Sequence, residues 1–175
     1  MNRWFSMQAL LVVSVSLLTS CNGRTILHGS RSVNRHAPVA VVNKRVNVWF
    51  VKPDSAGSKV VPVSRAWGHG DRLQQAVEDL LEGPSAKESS AGMASEIPRG
   101  TILLGVAHKG SAVELNLSRR FATGGGSDSF NTRLEQLRKT VAESAGSNDV
   151  FLSVEGKRLN ISEGEGIEVH QPINR

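Results

Sequence analysis

Two amphipathic stripes, separated by alternating apolar runs, constrain this chain more than anything else in it. Leu73, Ala76, Val77, Leu80 and Leu81 recur at i, i+3, i+4, i+7 and i+8, the spacing of one helix face. Asp71-Arg72-Leu73-Gln74 has capping-box spacing. Gly83-Pro84 closes the helix, with glycine at a left-handed cap and a proline that cannot continue. Phe130, Leu134, Leu137, Val141 and Ala145 make the second stripe, over about Ser127 to Ala145, and Gly146 ends it.

Between and around the helices the period changes to two. Val46 to Val51 reads as a strand ended by Pro53-Asp54. Lys59 to Arg65 reads as a second, and Pro62 within it cannot donate to a ladder, which marks an edge. Polar, small residues from Ser85 to Gly100 predict a loop carrying a short helix around Ala86–Gly92. Ile102, Leu104 and Val106 alternate, Lys109-Gly110-Ser111 turns, and Val113, Leu115 and Leu117 alternate again, predicting an antiparallel hairpin with one buried face. Val150, Leu152 and Val154, then Leu159 and Ile161, predict a closing hairpin through Glu155-Gly156-Lys157. Two amphipathic helices and a mostly antiparallel sheet bury most area when both helices pack on one sheet face. The expectation is a two-layer α+β domain over residues 46–175.

Residues 1–20 have the layout of a secretory signal. Arg3 supplies charge, Ala9 to Leu18 is an apolar run broken only by Ser14 and Ser16, and Thr19-Ser20 are small. A membrane-spanning helix needs about 20 apolar residues, and this run is shorter. Leu18-Thr19-Ser20-Cys21 resembles the bacterial lipobox, in which the cysteine becomes the acylated N-terminus. A thiol is the nucleophile suited to forming that thioether. Each buried CH₂ of an acyl chain contributes about 0.8 kcal/mol, so two or three chains hold firmly. The bland alternatives for Cys21 are a small apolar side chain or a free thiol. It is the only cysteine, so the domain must fold without an internal disulfide.

The formal charge of +5 misleads about partners. Of 21 Lys and Arg, six lie at or before residue 45, leaving 15 against 16 acidic residues in the domain. The basic character belongs to residues 21–45, a Ser-, Gly-, Asn- and His-containing segment that reads as a flexible tether. Its five cations would each add about 1 kcal/mol of attraction to an anionic membrane surface, or simply keep the tether solvated. It lacks the interleaved aromatics of a nucleic-acid arm, so no nucleic-acid partner is expected.

Catalytic and metal-binding constellations are not evident. Gly124-Gly125-Gly126-Ser127-Asp128 precedes a helix, where backbone N–H groups can cradle phosphate. No Gly-Lys-Ser/Thr pair follows, and Asp128 would repel an anion. The plainer reading is a flexible lead-in loop with Ser127 or Asp128 as N-cap. His28, His36, His69, His108 and His170 show no zinc-like spacing. There is no Gly-x-Ser-x-Gly elbow and no tyrosine. No catalytic residue, cofactor or metal is expected. Trp49 and Trp67 read as core or sheet-face aromatics, although an exposed Trp67 would serve a partner or a sugar ring. Arg119-Arg120 is the one adjacent Arg pair of the domain, and reads as a solvated face before it reads as an anion site.

Several stretches together resemble the GerMN (sporulation and spore germination) domain family: Leu80-Leu81-Glu82-Gly83-Pro84-Ser85, then Gly92-Met93, and Glu96-Ile97-Pro98-Arg99-Gly100-Thr101-Ile102-Leu103. Val113 to Ser118 with Phe121, the Gly124–Ser127 run and Gly164-Glu165-Gly166-Ile167 fit as well. The resemblance spans roughly Val48 to Pro172. It implies a non-catalytic α+β module, often found on bacterial lipoproteins and similar to ring-building modules of secretion-type assemblies. It implies envelope or cell-wall processes in sporulating and other bacteria, and it offers no catalytic residues to carry over. Family members often carry tandem copies, and the one copy here favours a general envelope role.

The leading functional expectation is therefore a lipid-anchored envelope protein, facing the periplasm or exterior, that binds another protein or itself. The alternative is a peptidoglycan- or glycan-binding accessory using Trp67 and the Gly124–Gly126 loop. A wall-acting enzyme has the least behind it. Candidate interaction residues are Trp67, Arg119, Arg120, Gly124, Gly125 and Gly126, with Cys21 as the lipidation site.

Overall fold

A computed structural model describes residues 44–55, 57–161 and 166–175. The signal segment 1–20, Cys21, nearly all of the tether, His28, His36 and Gly164-Glu165 lie outside the described residues.

The elements run β1 (Lys44–Asp54), β2 (Gly57–Trp67), α1 (Arg72–Glu82), α2 (Ala86–Ser90), β3 (Leu103–Lys109), β4 (Ala112–Leu117), a short 3-10 helix (Arg119–Ala122), α3 (Gly126–Ser144), β5 (Asp149–Val154) and β6 (Lys157–Arg158). This is an α+β fold, as the patterning predicts. Every expected helix and strand is present, within a few residues of its expected bounds except for the two-residue β6.

The strands divide into two sheets, a β1–β2 hairpin and a four-stranded sheet ordered β3-β4-β5-β6. Three pairings are antiparallel, while β4 and β5 run parallel because α3 crosses over between them. Both helices share one core with both sheets. Val48 and Phe50 of β1, Leu73, Val77 and Leu80 of α1, Leu115 and Leu117 of β4, Leu134 and Leu137 of α3, and Leu152 of β5 are all buried in it. Each such side chain contributes about 1.5–3 kcal/mol on leaving water.

The separation of β1 from the larger sheet has a polar cause. One edge of β1 pairs with β2. On its other edge the Trp49 N–H donates to Thr140 Oγ1 at 3.1 Å, Gln136 Nε2 donates to the Trp49 carbonyl at 2.9 Å, and Val51 exchanges backbone bonds with Ala94. Side chains of α3 and the Ala94 backbone thus take the place of a neighbouring strand at Trp49 and Val51.

The hairpin β3–β4 departs from the expected alternation. A register shift separates the Leu103–Leu117 pair from the Gly105–Asn116 pair. This bulge turns Leu103 and Val106 toward the core and leaves Ile102 58% and Leu104 46% exposed, where strict alternation would bury both. The closing hairpin is also shorter than expected. Leu159 is buried, but Ile161 is 62% exposed.

Local chemistry explains the remaining differences. Asp71 caps α1, accepting from the Gln74 N–H at 3.0 Å, but the Gln74 side chain donates to Glu78 instead of reaching back. The complete capping box lies at Ser85 and Glu88 of α2. Gly83 takes φ 90° as only glycine readily does, but its ψ of −173° is extended, because Pro84 disfavours a helical residue before it. The N-cap of α3 is Gly125, ahead of Ser127 and Asp128.

The C-terminal residues extend the sheet with side-chain amides. Gln171 accepts from the Leu152 N–H and donates to the Leu152 and Leu159 carbonyls. Asn174 accepts from the Val150 N–H at 2.8 Å, and the Ile173 N–H donates to the Val150 carbonyl at 2.8 Å.

Candidate functional site

Helix α3 carries two buried stripes. The apolar one holds Phe130, Leu134, Leu137 and Val141, and beside it runs a polar one of Arg133, Gln136 and Thr140. Burying an amide or a guanidinium is costly unless its hydrogen bonds are replaced. Gln136 accepts from the Glu96 N–H at 2.9 Å and donates to Trp49, while Thr140 donates back to the Gln136 carbonyl at 2.8 Å.

Arg133, 1% exposed, donates to the carbonyls of Phe121 at 2.9 Å, Thr123 at 3.2 Å and Gly124 at 2.7 Å, and to Ser129 Oγ at 3.0 Å. The glycine run is shaped to this cation. A Cβ on Gly125 would stand 2.5 Å from Arg133 Nη2 and 2.5 Å from Ser129 Oγ. A turn that aims carbonyls at a buried guanidinium differs in kind from one that aims N–H groups at a phosphate. The loop is a lead-in to α3 as expected, but it is pinned by Arg133, which sequence reasoning missed, and capped at Gly125 instead of Ser127 or Asp128.

On its outer side, Gly124 borders a cleft of about 530 Å³ with Arg119, at the β5–β6 end of the sheet. Ala122, Val154, Leu159 and Ile161 make its apolar part, and Arg119, Lys157 and Arg158 its cationic part. Glu155 also lines it, accepting from the Arg119 N–H at 2.7 Å. The structure brings Arg119 and Gly124 together here. Gly125, Gly126, Arg120 and Trp67 do not line it. The Arg120 Nε donates to the Arg99 carbonyl. Trp67, half-buried at the end of β2, lies under the Lys44 ammonium at 4.9 Å. Lys157, Arg158 and Ile161 are further lining residues that sequence reasoning did not single out. Ile161 continues the alternation from Leu159, so no local pattern marks its exposure.

Arg158 is held in place. It donates to both Glu114 carboxylate oxygens at 3.0 Å and stacks over Phe151 at 4.2 Å. Partial burial acts to raise the Glu114 pKa, but the Ser153 hydroxyl, Arg158 and Lys109 outweigh it and hold the carboxyl below its ordinary range.

Two histidine–carboxylate pairs occur among the described residues, His108 with Asp71 and His170 with Glu168. Burial opposes the charge on Asp71, but the Gln74 N–H, His108 and the Leu73 N–H together lower its pKa. No hydroxyl or thiol is hydrogen-bonded to either imidazole among the described residues. No group of three His, Cys, Asp or Glu side chains among them stands close enough to hold a metal ion. No described helix is long and apolar enough to cross a membrane.

Three of the stretches singled out in the sequence, through Leu81 to Pro84, Met93, and Ile97 with Arg99, line one cleft at the α1–α2 junction. Arg65 donates to the Gly83 carbonyl at 3.2 Å and pairs with Glu88 at 2.6 Å. Thr101 returns both its N–H and hydroxyl to the Pro98 carbonyl. The Germane family model, described as sporulation and spore germination, matches residues 47–160. The chain belongs to the Germane family. This bears out the resemblance, read from its motifs, to a family associated with sporulation and spore germination.

Solved Germane structures share the fold. The first GerMN domain of the sporulation protein GerM from Bacillus subtilis matches with a TM-score of 0.58 at 19% identity, over 73% of this chain and 95% of that one. The tandem GerMN domains of the same protein match with a TM-score of 0.57 at 20% identity, over 74% of this chain. The match spans 45% of the tandem chain, less than half its length. No curated protein matches.

Proposed function

We propose that this chain is a non-catalytic lipoprotein of the cell envelope, acylated at Cys21, whose Germane domain binds another protein. The observation that carries the binding role is the cleft beside Gly124. It pairs an aliphatic part with a cationic part, and no described residue lining it is aromatic, histidine or cysteine. A sugar-binding platform uses aromatic faces, and acyl- or glycosyl-transfer chemistry uses a nucleophile with a base or a pair of carboxylates. Residues 1–21 support the envelope location through their charge, apolar run and lipobox-like close. Residues 21–45 then serve as the tether that lets a membrane-anchored domain reach its partner.

Crosslinked capture of the tagged full-length protein from intact envelopes tests this, with Cys21→Ser alongside. A defined protein recovered with the lipidated form and lost or reduced with Cys21→Ser is the expected result. Recovery of wall fragments without protein, matched by co-sedimentation with purified sacculi, would replace this reading with a glycan-binding one.

A further inference from the structure

Resting on the protein-binding reading, the geometry of the cleft points to one class of occupant: an extended acidic peptide segment that carries aliphatic side chains. Among the described residues, three cations, Arg119, Lys157 and Arg158, line the cleft with one carboxylate, Glu155, while Glu114 pairs with Arg158 beside it, leaving an excess of one positive charge. Lys157 is exposed and makes no ion pair among the described residues. Arg158 is pre-ordered by its two bonds to Glu114 and its stack on Phe151, so little side-chain freedom is lost when an anion docks against it.

Charge complementarity sets the polar half of the ligand. The apolar half is set by Val154, Leu159 and Ile161. Ile161 is 62% exposed, the most exposed large apolar side chain among the described residues, and it sits at the cleft. A volume of about 530 Å³ accommodates a few side chains of a peptide and is too small for a folded element. With no aromatic side chain among its described lining residues, an acidic sugar would find charge but no ring to stack on.

The probe is a fluorescein-labelled Ser-Glu-Leu-Asp-Leu-Glu-Ser peptide, titrated against the full-length chain in phosphatidylcholine nanodiscs and read by anisotropy. Saturable binding is expected, at least tenfold weaker for Lys157→Glu, for Ile161→Asp and for the same peptide with lysine at its acidic positions. Raising salt from about 50 to 300 mM weakens it further, as exposed charge pairs are screened. Both substituted side chains are exposed, and an unchanged urea midpoint confirms folding. Should Ile161→Asp unfold, Ile161→Ser takes its place.

Equal affinity for the acidic and lysine peptides, or no loss in both variants, overturns the proposal. So does binding of phosphatidylglycerol vesicles, but not the peptide, that the two variants abolish. Envelope capture that recovers the same partner with wild type and both variants overturns the acidic-peptide cleft while leaving protein binding standing. Capture of no partner strikes the underlying reading instead.

Discussion

Arg133 Nη2 donates to the Gly124 carbonyl at 2.7 Å, so a buried cation on α3 dictates the path of the chain that leads into α3. That relationship makes Gly125 irreplaceable in a way Gly126 is not. Gly125→Ala forces a methyl to within 2.5 Å of Arg133 Nη2 at φ 91°, whereas at Gly126 the space is open and only the positive φ resists. The expected costs are about 3 kcal/mol and about 1 kcal/mol respectively. Urea midpoints at constant m-value measure both. Similar small losses at the two positions would refute the dependence of the loop on Arg133.

The β1 edge gives a second test. Thr140→Val keeps the shape of the side chain but removes the acceptor of the Trp49 N–H and the donor to the Gln136 carbonyl. A loss of about 1–3 kcal/mol is expected, since a buried donor is left unmade. Hydrogen exchange gives the sharper readout. The Trp49 amide should lose protection while Val48, on the opposite edge, keeps its own. Unchanged exchange at Trp49 would mean that α3 does not serve as the neighbour of β1.

Acid should act through Asp71. Its folded pKa lies below the unfolded value of about 3.9, so the ionised carboxylate adds stability above roughly pH 4. That contribution is lost as pH falls through the folded pKa. Asp71→Asn keeps an N-cap acceptor but not the charge. The wild type should therefore exceed the variant in urea midpoint at pH 6, with the gap closing by about pH 2. A gap that persists unchanged at low pH would assign the effect to the cap alone.

The bulge in β3 predicts an inversion of ordinary expectation for leucines. Leu104→Ser, at a position 46% exposed, should change stability by no more than about 0.5 kcal/mol. Leu117→Ala, at a fully buried position, should cost about 2–5 kcal/mol. Comparable losses at both would restore the unbroken alternation.

What could be read from the chain beforehand was whatever repeats. Leu73 to Leu81 and Phe130 to Ala145 announce their helices because burial imposes a 3.6-residue period, and Val113, Leu115 and Leu117 announce a strand because pleating imposes a period of two. Features that depend on a single non-local partner left no period. Arg133 looks like a surface residue until the carbonyls of Phe121, Thr123 and Gly124 surround it. Gln136 and Thr140 read as the solvent side of α3 until β1 lies against them. Ile102 and Leu104 follow the alternation faithfully, and one extra residue in the strand turns them out. Of the candidate site, Arg119 and Gly124 were visible as a basic doublet and a glycine run. Lys157 and Ile161 were hidden because nothing local ties residues so far along the chain to Gly124.

The parallel pairing of β4 with β5 also sets an order of completion. β5 is an interior strand of the larger sheet, yet it follows α3, and it is itself finished only by Gln171, Ile173 and Asn174. A polypeptide emerging N-terminus first holds both amphipathic helices and the β3–β4 hairpin long before it holds the strand and tail that close over them. Nascent or truncated chains ending before about residue 150 should therefore keep the inner faces of β4 and α3 open to water. The domain then assembles in one late step, after Gln171 to Asn174 are free to pair with β5. A chain built in this way cannot close its core until Gln171 to Asn174 have been made.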